Sequence, residues 1–186
     1  MHRRPRTMQQ RHRRTTPRRR AEFHVSEEVT KTRRIAFELL AVRDRSVREM
    51  GERLVRRGCE QDAIDTVVPD LCDKGLLDDS TFVRRWVSSR LENRPEGRIK
   101  LIQDLCKRGI DRSLAEQVLA EFEDDIGTDD VADRVLARVA HRYTGIEHDA
   151  ARRRMYGLLA RRGFDPDTTR AAVERAMNAL TGTTAP

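Results

Sequence analysis

The sequence has few of the residues that build a thick hydrophobic core or a covalent framework. Aromatic residues make up 4% of the 186 residues, whereas charged residues make up 37%. The three cysteines, Cys59, Cys72 and Cys106, are too widely spaced for a disulfide framework or a zinc pattern. No apolar run approaches a membrane span, and the N-terminus lacks the apolar core of a signal peptide. These absences predict a cytoplasmic protein built of thin layers with wide solvated surfaces.

Positive charge is concentrated at the N-terminus. The first 20 residues hold nine arginines and no acid, whereas the rest of the chain has 29 basic and 31 acidic residues. The nine are Arg3, Arg4, Arg6, Arg11, Arg13, Arg14, Arg18, Arg19 and Arg20. A block of like charge stays solvated and binds polyanions such as nucleic acid. We therefore expect a disordered tail over residues 1–25 that binds DNA weakly and without sequence preference.

Three segments align on a glycine and define an internal repeat. The glycines are Gly58, Gly109 and Gly163, which are 51 and 54 residues apart. A leucine stands four residues before each glycine, and a methionine or leucine stands eight before it, which is one apolar stripe at helical spacing. A basic pair directly precedes each glycine, as is typical of a left-handed C-terminal cap with cations at the negative helix end.

Each repeat has two further apolar stripes at helical spacing. The stripes before the glycine segments are Ile35, Leu39 and Leu40, then Phe82, Trp86 and Val87, then Val131, Val135 and Val139. The stripes after the glycines are Ile64, Val67, Val68 and Leu71, then Ala115, Val118, Leu119 and Phe122, then Ala172, Val173 and Ala176. No strand alternation is sustained. The predicted fold is all-α, with three tandem three-helix repeats stacked into an elongated, curved body. The expected repeats span residues 26–77, 78–126 and 127–181, before a C-terminal tail over 182–186.

Short polar motifs predict where helices begin and where one is disturbed. Ser46 with Glu49 forms a capping box. The pairs Asp78-Asp79 and Asp129-Asp130 stand at matching positions and are interpreted as helix N-terminal caps. Pro69 falls inside a predicted helix, where proline costs about 3 kcal/mol, so we expect a kink or an early helix end there.

Residues able to carry chemistry are sparse. The five histidines form no ligand pair at helical spacing, and no phosphate-binding glycine loop or nucleophile elbow is present. Cys106 replaces an aliphatic residue in an apolar stripe, which predicts a core position. Trp86 stands one helical turn after Phe82, which favours core packing over base stacking. We expect no catalytic residues, no metal and no cofactor.

The recurring basic pairs allow two interpretations. They cap the helix dipole, or they form a row of cations along one face of the stack, and both can hold. A helix-turn-helix DNA reader is disfavoured, because the predicted third helices carry acids that repel phosphate. These acids are Asp62, Asp65, Asp70 and Asp73 in the first repeat and Glu116, Glu121, Glu123, Asp124 and Asp125 in the second.

Several motifs occur in the order found in one known family. The most specific runs from Gly75 to Arg90 and contains Leu77-Asp78-Asp79, Phe82, Trp86-Val87 and Arg90. Arg43-Asp44-Arg45-Ser46 precedes it, and Pro95-Glu96-Gly97 and Arg161-Arg162-Gly163-Phe164 follow it. Over residues 33–180 the chain resembles the RecX family, the bacterial regulators of the RecA recombinase.

The resemblance implies a non-enzymatic protein that binds RecA and its filament on single-stranded DNA. Such proteins act in DNA repair and homologous recombination, where they limit filament extension, ATP hydrolysis, strand exchange and the coprotease activity that triggers the SOS response. Some members moderate RecA in a helpful direction, so the sign of regulation stays open. We expect no membrane partner, and a monomer is the simplest state.

The residues that contact RecA are predicted from charge and expected exposure. They are Arg84, Arg85 and Arg90 of the central repeat, together with the basic pairs Arg56-Arg57, Lys107-Arg108 and Arg161-Arg162. An alternative function is a non-specific nucleic-acid-binding protein that acts mainly through the basic N-terminal arm.

Overall fold

The computed structural model describes the backbone of residues 17–182 and the side chains of residues 27–180. Within this range the chain is helical and contains no strand, so the predicted all-α class is confirmed. The α-helices are α1 (Pro17–Val42), α2 (Val47–Arg56), α3 (Gln61–Asp73), α4 (Asp79–Asn93), α5 (Arg98–Lys107), α6 (Arg112–Ala120), α7 (Asp129–Ala137), α8 (His148–Arg161) and α9 (Pro166–Gly182). Short 3-10 helices cover Glu123–Asp125 and Ala140–Arg142.

The first helix begins earlier than the sequence pattern predicts. We placed the start of the first repeat at residue 26, but α1 begins at Pro17. Proline is favoured at the first helical position, and the arginines, alanine and glutamate that follow are good helix formers. Local helix propensity therefore extends α1 into the basic segment. Residues 1–16, which hold six of the nine arginines predicted to bind DNA, lie outside the described residues, as do the side chains of Arg18, Arg19 and Arg20.

The helices form three groups of three, and each group encloses its own hydrophobic cluster. We call these groups unit 1 (α1–α3), unit 2 (α4–α6) and unit 3 (α7–α9). In the described chain, the broadest helix–helix contacts all lie within one unit, such as α1 with α3, α4 with α6 and α7 with α9. The leucines at the centres of the three clusters, Leu54, Leu105 and Leu159, are fully buried. The units thus have separate cores and meet through narrower joints.

The three predicted glycine caps are confirmed. Gly58, Gly109 and Gly163 have φ angles of 75°, 85° and 77°, a region that favours glycine. In unit 1, Gly58 N donates to Val55 O at 2.9 Å and Cys59 N donates to Leu54 O at 3.1 Å. These are the two hydrogen bonds of a Schellman motif, and units 2 and 3 repeat them. The motif turns the chain so that the next residue in each unit is buried, namely Cys59, Ile110 and Phe164.

Two of the predicted helix starts are confirmed. Asp78 caps α4, because its carboxylate accepts from Ser80 N at 3.0 Å and from Thr81 N at 3.2 Å. The hydroxyl of Thr81 also donates to this carboxylate, and together these bonds hold the pKa of Asp78 below its ordinary value. Asp79, which was predicted to cap with it, is the first residue of α4 and instead accepts from Val47 N of α2. Ser46 caps α2, because its Oγ accepts from Glu49 N at 3.1 Å.

Another predicted helix start is wrong, and of the two outcomes predicted at Pro69, the early helix end does not occur. The cap residue of α7 is Thr128, and Asp129-Asp130 already lie inside the helix, where Asp129 forms an ion pair with Arg175 at 3.4 Å. The carboxylate of Asp129, which was expected to cap α7, thus pairs with an arginine of α9. Helix α3 continues through Pro69 to Asp73, so the predicted early end does not occur. Val67 and Leu71, both fully buried, hold the helix on each side of the exposed proline.

Candidate functional site at the joints between units

Units 1 and 2 meet where α2 begins and α5 ends. Ser46 Oγ donates to Arg108 O at 2.5 Å, and Val47 N donates to Asp79 Oδ1 at 2.8 Å. The first bond satisfies a carbonyl at the end of α5, and the second satisfies an amide at the start of α2. Both groups belong to helix termini, which lack partners within their own helix. Each unit therefore caps a helix of the other.

This first joint also contains two carboxylates whose pKa values move in opposite directions. Burial raises the pKa of Asp79, although the hydrogen bond from Val47 opposes the rise. Burial likewise acts to raise the pKa of Glu49, but hydrogen bonding and charge from Arg43 and the charge of Arg45 outweigh it and lower the pKa. Arg45 is itself 7% exposed and lies 3.0 Å from Glu49. The start of α2 is thus held by the ion pair of buried Arg45 with half-buried Glu49 and by the hydrogen bond from Val47 to half-buried Asp79.

Units 2 and 3 meet in the same way. Gly97 N donates to Arg162 O at 2.7 Å, and Arg162 Nη1 donates to Pro95 O at 3.2 Å. A Cβ atom on Gly97 would lie 2.1 Å from the carbonyl oxygen of Gly163, so the two backbones touch. Burial and the nearby charge of Arg94 lower the pKa of Arg162. The two joints thus share one contact. The N-cap residue of the second helix in one unit donates a hydrogen bond to a carbonyl in the next unit, and that carbonyl belongs to the residue directly before the C-terminal cap glycine.

The second members of the basic pairs therefore differ between units. Arg108 and Arg162 are half-buried at the two joints, whereas Arg57 is exposed. The first members of the pairs, Arg56, Lys107 and Arg161, are all exposed. In units 2 and 3, each pair thus combines a half-buried residue at the joint with an exposed cation. The interpretation as a structural residue fits the second member, and the interpretation as surface charge fits the first.

Arginines gather around Trp86 beside the first joint. The guanidinium carbons of Arg90 and Arg108 lie 5.0 Å and 5.6 Å from the centre of the Trp86 ring, which is cation–π range. Trp86 is half-buried and packs against the unit 2 core, as predicted. Arg43, Arg85, Trp86 and Arg108 border an open cavity of about 370 Å³. We call Arg43, Arg85, Trp86, Arg90 and Arg108 the first-joint cluster.

Four predicted contact residues form ion pairs within the chain, and two of these pairs, those of Arg84 and Arg85, join residues far apart in the sequence. Arg84 binds Glu121 through two bonds of 2.7 Å and 2.8 Å, which connect α4 to the end of α6. Arg85 binds Asp44 at 3.0 Å, which connects unit 2 to unit 1. Both pairs are exposed, and exposed ion pairs contribute little net stability. Either arginine can therefore exchange its carboxylate for one on a partner at small cost.

The structure brings some predicted residues together and separates others. Arg85, Arg90 and Arg108 share the first-joint cluster, but Arg56 and Arg57 lie at the end of α2 and Arg161-Arg162 at the end of α8. Arg43 was not predicted as a contact, although its motif with Asp44 was recognised. Only the fold places this loop beside Trp86, because the two are 43 residues apart in the chain.

Two kinds of site are not found in the described part of the chain. No group of three or more histidine, cysteine, aspartate or glutamate side chains there is arranged to hold a metal ion. No helix in the same range has the length and apolar character needed to cross a membrane.

The sequence matches models of two domains of one family. The model described as the first three-helix domain of RecX matches residues 33–71, and the model of its second three-helix domain matches residues 78–119. The regulatory protein RecX of Amycolatopsis mediterranei is 30% identical over 144 residues, which cover 77% of this chain and 82% of that protein. The protein of the same name from Halorhodospira halophila is 34% identical over 142 residues, covering 76% of this chain and 85% of that protein.

Two crystal structures share the fold. The structure of RecX from Lactobacillus salivarius aligns with a TM-score of 0.67 at 20% identity, covering 84% of this chain and 98% of that one. A second structure, of a regulatory protein RecX, aligns with a TM-score of 0.77 at 15% identity, covering 86% and 80%. The structural likeness establishes the helical fold, and the relatives that are at least 30% identical in sequence establish the family. This chain belongs to the RecX family of regulatory proteins.

Proposed function

We propose that this protein binds RecA and the filament that RecA forms on single-stranded DNA, without catalysing a reaction itself. Binding limits filament extension, ATP hydrolysis, strand exchange and SOS coprotease activity. The observation that carries this proposal is the membership of the RecX family, based on relatives at least 30% identical over most of the chain. We place the protein in the cytoplasm as a monomer that also binds DNA weakly through its basic arm.

The separate cores support a partner with a repeating surface. A stack of units that contact only their neighbours presents a long face, and its angle between units depends on a few joint residues. In the first joint these include Ser46 and Asp79, and in the second Gly97 and Arg162. Because neighbouring units share no hydrophobic cluster, small adjustments at the joints let successive units contact successive RecA protomers.

We place the main RecA contact at the first-joint cluster. Tryptophan and arginine are the residue types that contribute most to binding energy at protein interfaces, above all where the aromatic ring is held rigidly. Trp86 is fixed by the unit 2 core and flanked by Arg90 and Arg108, while Arg43 and Arg85 extend from the rim. The fitting surface on RecA is acidic at its edge and apolar at its centre. Arg84, Arg56, Arg57, Lys107, Arg161 and Arg162 remain secondary candidates.

The decisive experiment measures RecA ATPase on single-stranded DNA with the full chain added below equimolar amounts. We expect strong inhibition. A variant with Arg43→Ala and Arg85→Ala should need about tenfold more protein for the same inhibition, which corresponds to a loss of about 0.7 kcal/mol of binding free energy for each of the two charged groups. The matched control, Arg112→Ala with Arg170→Ala, removes the same charge from exposed ion pairs elsewhere and should inhibit normally. No effect of the full chain at any ratio would contradict the proposal.

The competing function through the basic arm is tested by a deletion. Because α1 begins at Pro17, the deletion should remove residues 1–16 and leave the helix whole. If RecA inhibition persists without the arm, the helical units carry the function. If inhibition and DNA affinity vanish together, the protein acts mainly as a non-specific nucleic-acid binder.

A further inference from the structure

The arginines of unit 3 surround a cavity, and of its lining residues only Arg161 is among the secondary RecA contact candidates. Helix α8 carries Arg152, Arg153, Arg154 and Arg161, and the preceding 3-10 helix ends at Arg142. Between them lies an open cavity of about 600 Å³, bordered by four of these arginines. The four are Arg142, Arg153, Arg154 and Arg161, and all are exposed. We call this cavity the α8 groove.

These four guanidinium groups differ from most arginines of units 1 and 2. Within the described residues, none of the four has a carboxylate oxygen at ion-pairing distance, and no carboxylate borders the groove. Arg84 and Arg85, by contrast, are each bound to an acid. Glu147, at the start of α8, caps this helix: its carboxylate accepts from Asp149 N and Ala150 N, both at 2.8 Å. The groove therefore concentrates positive charge that is not neutralised within the chain.

The floor of the groove is open and partly aromatic. Gly157 lies inside α8, where glycine weakens a helix relative to alanine. A Cβ atom there would meet only the guanidinium of Arg161, at 3.0 Å, so core packing does not require a glycine. Because Gly157 has no side chain, only the flexible end of Arg161 lies between the helix backbone and a ligand. The buried Tyr143 and half-buried Leu158 supply an apolar surface beside it.

We propose that the α8 groove binds the sugar–phosphate backbone of a single-stranded nucleic acid. From Arg153 to Arg161 the helix rises about 12 Å, which spans more than one phosphate of an extended strand. Arginine binds phosphate oxygens through paired hydrogen bonds, and positively charged grooves with aromatic surfaces follow single strands without sequence preference. Phosphate occurs at every nucleotide, so a nucleic-acid strand matches a groove whose charged residues are all cations better than an acidic peptide with neutral residues between its charges does. The site is independent of the RecA assignment and distinct from the N-terminal arm.

The test measures binding of the full chain to fluorescent oligothymidine by anisotropy, over a range of salt concentrations and without RecA. The groove variant is Arg153→Ala with Arg154→Ala, and the control is again Arg112→Ala with Arg170→Ala, which removes equal charge. We expect the groove variant to bind about tenfold more weakly and the control to bind as the wild type does. Each lost phosphate contact on a single strand lowers the slope of log K against log salt by about 0.7, so the groove variant should lose about 1.4.

Further variants keep the result decisive if the first one folds poorly. Arg142→Gln with Arg161→Gln removes charge from the two ends of the groove and should give the same loss. Arg153→Lys with Arg154→Lys keeps the charge and should retain most of the salt dependence. Equal weakening in groove and control variants, or an unchanged slope, would overturn the site. So would a groove variant that keeps oligothymidine binding but loses binding to polyglutamate, because the occupant would then be an acidic protein segment.

Discussion

Gly97 N donates a hydrogen bond of 2.7 Å to the carbonyl oxygen of Arg162, the residue before a cap glycine. Ser46 makes the equivalent contact with Arg108 one unit earlier, through its hydroxyl. The Schellman turn that ends the second helix of units 2 and 3 therefore has a second role, since it presents a carbonyl to the preceding unit. One local motif both stops a helix and joins the stack.

Gly97→Ala should destabilise the protein strongly. Gly97 has an ordinary φ of −80°, so the penalty is steric: the added Cβ would lie 2.1 Å from Gly163 O and 2.5 Å from Phe164 N. Overpacking of this kind costs on the order of 1–3 kcal/mol, and backbone atoms yield less than side chains. Chemical denaturation followed by circular dichroism measures the loss.

Gly51→Ala is the matched control for this substitution. Gly51 lies inside α2, and a Cβ atom there would have nothing within 4 Å. Alanine is the better helix former, so the free energy of unfolding should rise by about 0.5–1 kcal/mol. If both variants change stability in the same direction, close backbone contact at the second joint is not what requires Gly97.

The stability of the first joint should depend on pH through Glu49. The folded pKa of Glu49 lies below its ordinary value of 4.5, so the unfolded state binds more protons. Its stabilisation is therefore fully present above about pH 4.5 and is lost as pH falls through the lower folded pKa. We expect Glu49→Gln to reduce the free energy of unfolding at pH 7 and to reduce it less at pH 3, measured by urea denaturation.

Asp79→Asn provides the opposite case. The folded pKa of Asp79 lies above its ordinary value of 3.8, so protonation favours the folded state. The neutral amide can still accept from Val47 N, and the variant should lose less stability near pH 7 than Glu49→Gln.

One outcome would contradict the prediction for Glu49. A Glu49→Gln variant whose loss of stability is as large at pH 3 as at pH 7 would show that packing, and not the charge of Glu49, supports the joint.

Periodic and local features were predictable from the sequence, and contacts between units were not. The apolar stripes and the caps at Gly58, Gly109 and Gly163 depend on residues within one or two helical turns, and they are confirmed. The contact between Gly97 and Arg162 joins residues 65 positions apart, and it leaves no periodic signal. A glycine at the start of a helix is equally compatible with an ordinary cap.

The features that the sequence predicted wrongly or did not predict also have physical reasons. Asp129 resembles Asp78 in sequence position, but Arg175 of α9 binds it and Thr128 occupies the cap position. The α8 groove was missed for a different reason. The run Arg152-Arg153-Arg154 occurs in one repeat only, so the repeat pattern that singles out the basic pairs before the glycines does not include it.

Glu121→Gln should strengthen RecA inhibition if Arg84 is a contact residue. Glu121 holds Arg84 through two bonds, and hydrogen bonding to Arg84 lowers the pKa of Glu121, so this carboxylate competes with one on RecA. Removal of its charge frees the guanidinium without altering Arg84. Inhibition of RecA ATPase by the variant and by Arg84→Ala should then change in opposite directions. If Glu121→Gln leaves inhibition unchanged, Arg84 serves to connect α4 to α6 and does not contact RecA.

Gly157→Ala should separate stability from nucleic-acid binding in unit 3. Inside a helix, alanine is more stable than glycine by about 0.5–1 kcal/mol, and the new Cβ would displace only the flexible end of Arg161. Thermal unfolding should therefore occur at a higher temperature. The same methyl group would occupy the floor of the α8 groove and shift one of its four arginines, so oligothymidine should bind more weakly. A variant that gains stability and binds as tightly as the wild type would mean that the strand does not approach the α8 backbone at Gly157.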